Sequence, residues 1–303
     1  MSTETAPGPA LPTDRLIAQV DATLRGYVEG RGLPTGLIDA VLYAGLGPGK
    51  RVRPMLVVRA FEAVRGPVAS LDEHPDLLAA ATAIEMVHAF SLVHDDLPAM
   101  DDDDLRRGRP TLHVHTSEAM AVLAGDALTS LAFEIVLRDA SDPGLGATLA
   151  GELAAGTTDM IAGQVYDTLP DPAAGDPTLA RLQRTHRHKT GALLRAACRM
   201  GAICAAADDR ALAALTAFAD DVGLMFQVVD DLLDVTAEAE QLGKATHKDA
   251  AAGKLTYPGL MGIDGARDEV QRLRAAARAA LAPLGNRAEP LRQLADDLAA
   301  RRR

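Results

Sequence analysis

Carboxylate side chains cluster at two places in the sequence. The first cluster follows an apolar run and contains six aspartates: Asp95, Asp96, Asp101, Asp102, Asp103 and Asp104. Two carboxylates about 4 Å apart repel each other by about 1 kcal/mol in water and by about 4 kcal/mol at an effective dielectric constant near 20. Such a cluster is therefore favourable only when water solvates it or cations neutralise it. It predicts either a site for a hard cation such as Mg²⁺, which prefers oxygen ligands, or an acidic surface turn.

Pro98 determines how the first cluster is presented. A proline disfavours helical geometry at the preceding residue, so we expect Asp95 on the last turn of a helix and Asp101 beyond it. Both carboxylates can still reach one ion. An EF-hand is excluded, because Leu105 takes the fifth position counted from Asp101 and Gly108 misses the required sixth.

The second cluster lies within a long stretch that contains no proline. At about 100° per residue, its polar side chains fall on one side of a helix: Gln227, Asp230, Asp231 and Asp234. The remaining positions are apolar, and a helix that is apolar over most of its circumference is buried. Buried carboxylates need a cation or hydrogen-bond partners. A functional site is therefore favoured here over a solvated acidic face.

Basic motifs accompany both clusters. Gly49 to Pro54 reads GKRVRP after a glycine-rich turn, and Arg106-Arg107-Gly108-Arg109 follows the first aspartates. Cations beside flexible backbone commonly bind phosphate, although a charged surface remains the alternative. The first motif is not a P-loop, because Ala44 replaces the first required glycine and Arg51 stands where Ser or Thr should follow the lysine. The paired histidines 113/115 and 186/188 lack a fourth-ligand pattern, so we interpret them as hydrogen-bonding or surface residues.

Composition limits the class of protein. The 303 residues carry a formal net charge of −11, which argues against sequence-independent binding of nucleic acid. The two cysteines, Cys198 and Cys204, are typical of small buried side chains in a reducing cytoplasm. We find no secretory signal, and the most apolar stretch, residues 119–133, is interrupted by Asp126 and shorter than the ~20 residues that cross a bilayer. We therefore expect a cytoplasmic protein without a membrane span.

The elements that must position these residues are helices. Residues 1–13 contain three prolines and little apolar surface, which predicts a disordered leader. From Asp14 onward, apolar residues recur with helical spacing, and long proline-free stretches at 111–142 and 178–257 favour long helices. Loops are predicted at 45–49, 139–146 and 169–177. We predict one all-α domain over residues 14–303.

In their order along the chain, the motifs resemble the short-chain trans-isoprenyl diphosphate synthase family, of the bacterial farnesyl/geranylgeranyl diphosphate synthase type. The matching positions are Gly49 to Pro54, His88, Asp95 to Asp101 with Arg106-Arg107-Gly108, Gly163 to Asp167, Lys189-Thr190, Gln227 to Asp234, and Lys244 to Lys254. The resemblance implies a single-domain helical bundle around a deep central cavity, the isoprenoid synthase fold. It also implies facing aspartate motifs, three Mg²⁺ ions and a homodimer.

The resemblance assigns roles residue by residue. The implied metal ligands are Asp95, Asp101 and Asp230, with Asp96, Asp231 and Asp234 nearby. The isopentenyl diphosphate site is implied at Lys50, Arg53, His88 and Arg107. The allylic diphosphate site is implied at Arg106, Lys189, Thr190, Gln227, Lys244 and Lys254. Lys189, Thr190 and Gln227 also join the metal ligands as catalytic residues, with Gln164 and Asp167 as supporting polar groups. His247 stands where many relatives carry glycine.

The implied reaction is a Mg²⁺-dependent head-to-tail (1'-4) condensation of isopentenyl diphosphate with an allylic diphosphate. In this family the residue five before the first motif aspartate helps set product length, and here it is Phe90, followed by Ser91. An aromatic residue there predicts farnesyl diphosphate, made from dimethylallyl and geranyl diphosphates. The alternative is a geranylgeranyl diphosphate synthase primed by farnesyl diphosphate.

Two remoter alternatives are a class I terpene cyclase and a non-catalytic partner subunit. A cyclase combines Asn or Asp, Ser or Thr, and Glu in its second metal motif, whereas this chain has Asp230, Asp231 and Asp234. A silent subunit is expected to lose motif aspartates, and this sequence retains them.

Overall fold

A computed structural model describes residues 11–169, 178–242 and 255–301, with the side chains of 237–242 left out. The predicted all-α class is confirmed, since these residues are helical apart from loops and one short β-hairpin. The α-helices are α1 (Thr13–Glu29), α2 (Thr35–Gly45), α3 (Val52–Arg65), α4 (Pro75–Asp95), α5 (Leu112–His115), α6 (Glu118–Arg138), α7 (Pro143–Thr168), α8 (Leu179–His186), α9 (Ala192–Cys204), α10 (Asp209–Leu242), α11 (Tyr257–Ala280) and α12 (Glu289–Ala299). Short 3₁₀-helices occupy Leu71–Glu73 and Ala282–Ala288, a π-helical segment occupies Arg187–Gly191, and the hairpin consists of β1 (Leu105–Arg106) and β2 (Arg109–Pro110).

The chain divides into two compact units. Unit 1 comprises Met1–Thr157 and Ala196–Asp208, and unit 2 comprises Thr158–Arg195 and Asp209–Arg303. The prediction of one domain over 14–303 and of a deep central cavity stays a prediction.

Unit 1 is built around α4. Two thirds of the residues of this helix are apolar, and twelve of its residues are buried. It packs against α3 and α6. At the edge of the unit, α1 is amphipathic, and its buried residues recur every four positions at Leu16, Val20, Leu24 and Val28. The aspartates on the last turn of α4 therefore lie at the end of a largely buried helix.

Unit 2 is organised by α10, which packs against α11, α12 and the π-helical segment. Two of its helices, α8 and α11, begin with side-chain caps. Thr256 Oγ1 accepts a hydrogen bond from Gly259 N at 3.2 Å, and Thr178 Oγ1 accepts one from Arg181 N at 3.2 Å. Each cap satisfies a backbone donor that has no partner within its helix.

The predicted leader is too long at its C-terminal end. Leu11 is 1% exposed and its N–H donates to Val68 O at 2.9 Å, so this residue belongs to the core of unit 1. Helix α1 begins at Thr13, one residue before the predicted boundary. Residues 1–10 of the predicted leader lie outside the described residues.

Loop positions are partly as predicted. The 45–49 loop does separate α2 from α3, whereas α7 begins at Pro143, inside the predicted 139–146 loop. Proline is well tolerated at the first turn of a helix, which explains the early start. The proline-free stretch 178–257 is interrupted at 187–191 and again at 205–208. The rest of the predicted 169–177 loop, from residue 170, lies outside the described residues.

Apolar helices also bear on the expectation of no membrane span. Among the described residues, Pro75–Asp95, Glu118–Arg138 and Asp209–Thr236 are long and apolar enough to cross a membrane, and 72%, 44% and 56% of their apolar windows are buried inside the protein. The predicted most apolar stretch, 119–133, is only part of the apolar helix Glu118–Arg138. The absence of a span stays a prediction.

Candidate active site

The first aspartate motif begins where α4 ends. Asp95 is the last residue of α4, as Pro98 predicts. The chain then turns back, and the N–H of Asp101 donates to the backbone oxygen of Asp95 at 2.9 Å. This backbone bond brings the two outer aspartates of the motif close together on a solvent-accessible turn, with the Asp101 side chain exposed.

Asp96 has a different environment from its neighbours. Its side chain is buried, and its Oδ1 accepts a hydrogen bond from Arg106 Nε at 2.6 Å. Burial raises the pKa of Asp96, and the Arg106 guanidinium counteracts that effect. The pair fixes Arg106 relative to the end of α4, so Asp96 positions a cation.

The β-hairpin presents Arg107 at its turn. Arg106 pairs with Arg109 across the two strands, which leaves Arg107 and Gly108 as a two-residue loop with φ of 51° and 76°. Positive φ at both positions is the requirement of a type I′ turn, which favours Asn-Gly or Gly-Gly. Arg107 therefore holds a strained conformation, and its Nη1 donates to Pro48 O. Gly49 makes room for this contact, since a Cβ there would lie 2.5 Å from that nitrogen.

Arg51 organises the loop before α3, a role that the sequence analysis did not assign. Its side chain is 5% exposed, and its guanidinium binds Asp21 Oδ1 at 2.9 Å and Glu85 Oε1 at 3.2 Å. It also donates to the carbonyl oxygens of Gly45 and Gly47, each at 3.1 Å. The residue itself adopts a left-handed backbone with φ of 49°. The GKR triplet alone does not show which of its cations points inward.

Lys50 and Arg53, on either side of Arg51, are placed differently. Lys50 is exposed, whereas Arg53 is partly buried and its Nε has no hydrogen-bond partner. Burial lowers the pKa of Arg53 to about 10, and Glu85 opposes that shift. A buried cation with an unsatisfied donor is stabilised by an anion, which fits a diphosphate site.

His88 lines a small cavity of about 80 Å³ within unit 1. Its basic side chains are His88, Arg51, Arg106, Arg107 and Arg109. Burial and the four arginines 53, 107, 106 and 51 hold the pKa of His88 well below its ordinary value, so the imidazole is neutral at pH 7. The volume accommodates several water-sized groups, about the size of a phosphate group.

Unit 2 carries the predicted Lys189-Thr190 pair on its π-helical segment. Such segments are rare and frequently occur at functional sites. Lys189 Nζ donates to Asp167 Oδ2 at 2.6 Å, and Thr190 Oγ1 donates to Gln227 Oε1 on α10. The predicted Thr190 and Gln227 are thus brought together.

Glycines allow the segment to sit this close to its neighbours. A Cβ at Gly163 on α7 would lie 2.0 Å from Lys189 N, and one at Gly223 on α10 would lie 2.7 Å from the Cα of Gly191. Gln164, next to Gly163, has a buried Nε2 without a hydrogen-bond partner.

The three carboxylates of the second aspartate motif lie in different environments. Asp230 is partly buried and pairs with Arg301 Nη1 at 2.8 Å. Burial raises the pKa of Asp230 to about 6, and Arg301 opposes the shift. Asp231 is buried and accepts a hydrogen bond from Tyr257 N at 2.9 Å, whereas Asp234 is exposed. The predicted acidic stripe on a buried face is therefore wrong for Asp234, because α10 turns that position towards solvent.

Phe90 and Ser91, the residues predicted to set product chain length, lie near the C-terminal end of α4. Phe90 is partly buried and contacts the His94 ring edge-on, with centroids 5.3 Å apart. Ser91 Oγ donates to the backbone oxygen of His88 at 2.9 Å. The predicted Lys244 and Lys254, together with His247, lie outside the described residues.

The aspartates fit magnesium by their chemistry. Oxygen donors suit this ion, and the Arg301 guanidinium already places a cation against Asp230. Within the described ranges, no group of three His, Cys, Asp or Glu side chains is arranged to hold a metal by itself. Magnesium sites that rely on one or two carboxylates, waters and substrate phosphates do not need such a group.

An all-helical chain with one aspartate motif at the end of a helix and another along a second helix defines the isoprenoid synthase class. This chain belongs to the polyprenyl synthetase family, whose model matches residues 35–283. It is therefore a short-chain prenyltransferase that elongates prenyl chains, and the predicted family is confirmed.

Named relatives differ in product. Geranylgeranyl pyrophosphate synthases 9 and 11 of Arabidopsis thaliana, both chloroplastic, are each 44% identical over 275 residues, which cover 88% of this chain and 75% of theirs. A solved FPP/GFPP synthase from Zymomonas mobilis is 35% identical with a TM-score of 0.79, covering 94% of this chain and 98% of that one. A geranyltransferase from Legionella pneumophila is 29% identical with a TM-score of 0.82, covering 95% of each chain.

Proposed function

We propose that this prenyltransferase condenses isopentenyl diphosphate with dimethylallyl and then geranyl diphosphate and stops at farnesyl diphosphate. The fifteen-carbon product is inferred from the side chain of Phe90. Its ring is held edge-on by His94, whose Nε2 lies 3.1 Å from Val122 O on α6. A bulky side chain fixed in this way resists displacement by a growing prenyl chain better than a freely rotating one.

The two diphosphates are assigned to different residues. Isopentenyl diphosphate is bound by Lys50, Arg53, His88 and Arg107, of which His88 and Arg107 line the unit 1 cavity. The allylic diphosphate is bound by Arg106, Lys189, Thr190 and Gln227, with Lys244 and Lys254. Guanidinium groups suit this task, because they stay charged and match phosphate geometry.

Magnesium would be held by Asp95, Asp101 and Asp230 together with the allylic diphosphate. When bound, it supplies charge stabilisation for the departing diphosphate. The number of ions, three by family resemblance, is part of the proposal.

The chain's own residues then support the reaction in order. Arg106 and Lys189 stabilise the diphosphate as its C–O bond breaks and the electron pair leaves with oxygen. The oxygens of Thr190 and Gln227 face the resulting allylic cation and stabilise it. The isopentenyl double bond attacks that cation, and the released diphosphate removes the proton that restores a double bond. The predicted apolar cavity would exclude water, which would otherwise capture the cation.

A geranylgeranyl product is the second candidate. It is favoured by the 44% identity to plant enzymes that carry that name. In that case Phe90 would have to yield to a longer chain, and farnesyl diphosphate would act as primer.

The deciding experiment is a Mg²⁺-dependent incubation of isopentenyl diphosphate with dimethylallyl, geranyl or farnesyl diphosphate, followed by chromatography of the dephosphorylated products. Farnesol as the terminal product is expected. Geranylgeraniol would keep the reaction and discard the product assignment, and Phe90→Ala should then leave product length unchanged. Folded protein that elongates none of the primers would contradict the function itself.

We also propose a cytoplasmic homodimer that binds no nucleic acid and has no membrane span. Large apolar side chains on α6 support the dimer, since Val122, Leu123 and Leu137 are 41%, 56% and 53% exposed. The net charge of −11 disfavours nucleic acid. Light scattering after size-exclusion chromatography tests the dimer, and a mass near 31.7 kDa would contradict it.

A further inference from the structure

Tyr43, near the end of α2, lines the same cavity as His88 and Arg107. Neither the motifs nor the comparisons assign it a role. We propose that Tyr43 is a positioning residue that holds the Arg107 hairpin in place for isopentenyl diphosphate, an inference that rests on the proposed function.

The Tyr43 ring is contacted by two planar side chains. The His115 imidazole stacks on it with centroids 4.0 Å apart and an interplanar angle of 12°. The Arg109 guanidinium carbon lies 4.1 Å from the ring centroid. Two planar groups this close to one ring centre would overlap on the same face, so they occupy opposite faces. Stacking on one side and a cation–π contact on the other fix the orientation of the ring.

The Tyr43 hydroxyl adds a directional bond. Its oxygen donates to the backbone oxygen of Pro110 at 2.8 Å. Arg109 and Pro110 are the two residues of β2, so Tyr43 contacts the whole strand, through a side chain and through the backbone. Strand β2 is thereby attached to α2.

The hairpin needs such an attachment because it is too short to be stable by itself. Each strand has two residues, and isolated hairpins are at best marginally stable in water. Strand β1 is held through the ion pair of Arg106 with buried Asp96. Beyond β2, Thr111 bonds to the backbone oxygens of Asp104 and Asp103, at 3.0 Å from its N and 2.7 Å from its Oγ1. Tyr43 contacts β2 itself.

The attachment also couples two phosphate-binding segments. Helix α2 ends at Gly45, and the following loop carries Pro48, whose carbonyl binds Arg107, and then Lys50. Tyr43 thus connects the loop that carries Lys50 with the hairpin that carries Arg107. Loss of Tyr43 should loosen the turn and Arg107, while Arg106 stays with Asp96.

The consequence is a selective kinetic change. Tyr43→Ala is expected to raise the KM for isopentenyl diphosphate about tenfold, the combined effect of one hydrogen bond and one cation–π contact. The KM for geranyl diphosphate and the kcat at saturation should stay within about twofold. Tyr43→Phe keeps the stacked ring and loses the bond to Pro110, so about a threefold rise is expected.

Asp96→Asn and Val114→Ala serve as matched comparisons. Asp96→Asn weakens the Arg106 ion pair, so it should raise the KM for geranyl diphosphate more than that for isopentenyl diphosphate. Val114, beside His115 and 49% exposed, has no part in the stack, and its alanine variant should leave both values unchanged.

Circular dichroism establishes that each variant is folded, and the nearly isosteric Tyr43→Phe keeps the test valid if Tyr43→Ala does not fold. An unchanged KM for isopentenyl diphosphate in folded Tyr43 variants would overturn the proposal, as would an equal rise in both KM values. Wild-type protein that does not elongate any primer would instead reject the proposed function.

Discussion

Adjacent carboxylates in the second aspartate motif have different physical tasks. Asp230 faces a cation, Arg301, whereas the buried Asp231 accepts the backbone N–H at the start of α11. Asp230→Ala should lower turnover by about 10²–10³-fold, the usual effect of deleting one electrostatic stabiliser, with little loss of stability. Steady-state kinetics and urea unfolding measure the two effects.

Asp231→Ala is the matched control for that variant. It leaves Tyr257 N buried without an acceptor, which costs about 1–3 kcal/mol of folding free energy. If Asp230→Ala kept near-normal turnover, or if the two variants were equally destabilised, this division of roles would be wrong.

The environment of His88 predicts how the stability of the folded protein depends on pH. Its folded-state pKa lies well below the ordinary value because of burial and the surrounding arginines. The unfolded chain binds a proton near pH 6.5 and the folded chain does not, so stability falls as the pH drops below that value, by at most about 1.4 kcal/mol per pH unit. Urea unfolding at pH 5 and pH 7.5 should show a smaller difference for His88→Gln than for wild type. Equal pH dependence in both proteins would show that His88 binds its proton in the folded state.

At the residue scale, sequence patterns predicted which side chains could bind metal or phosphate. They predicted less well where those side chains lie in the structure. Asp95 at the end of α4 followed from Pro98, because proline restricts its predecessor. Arg51 was missed, since Lys50, Arg51 and Arg53 look equivalent in sequence and only packing shows that the middle one is buried. The Asp231 hydrogen bond to Tyr257 joins residues 26 apart, which no local pattern indicates.

Among the elements, the π-helical segment depends on close approach by α7. Gly163→Ala would place a Cβ within 2.0 Å of Lys189 N, so the segment and its Lys189-Thr190 pair must move. A displacement of about 1 Å can cost 10²-fold in rate, and we expect at least a tenfold loss of turnover, measured with geranyl diphosphate.

Gly151→Ala provides the control on the same helix. Nothing lies within 4 Å of its added Cβ, and alanine is the better helix former by up to about 1 kcal/mol. It should therefore keep activity and raise the melting temperature. Comparable activity in both variants would show that α7 can shift away without disturbing Lys189.

The periodicity of apolar residues predicted the helices well. It did not predict the β-hairpin or the π-helical segment. Apolar spacing gave the helical character of α1 and α4, because burial of one stripe or of a whole surface leaves a clear pattern. The β-hairpin and the π-helical segment depend on contacts with other elements, so the sequence shows only their residues. The chain start was misjudged because Leu11 is a single apolar residue in a proline-rich stretch.

For the whole molecule, ligand binding should raise stability by mass action. If inorganic diphosphate with Mg²⁺ binds the folded site as proposed and not the unfolded chain, binding contributes about 2.7 kcal/mol at a hundred times its Kd. For a chain of this size we expect an increase in melting temperature of about 5 °C by differential scanning fluorimetry. Chelation of Mg²⁺ should remove most of it. A shift of equal size without Mg²⁺ would show that the cationic side chains bind diphosphate alone.

The left-handed backbone of Arg107 has a consequence for protein engineering. Glycine at that position would relax the turn and gain up to about 1 kcal/mol. A laboratory selection for heat resistance alone would therefore enrich glycine at Arg107 and discard the guanidinium group along with the strain. Thermostable variants of this protein should be screened for prenyl transfer at every round, because one accessible gain in stability lies inside the candidate site.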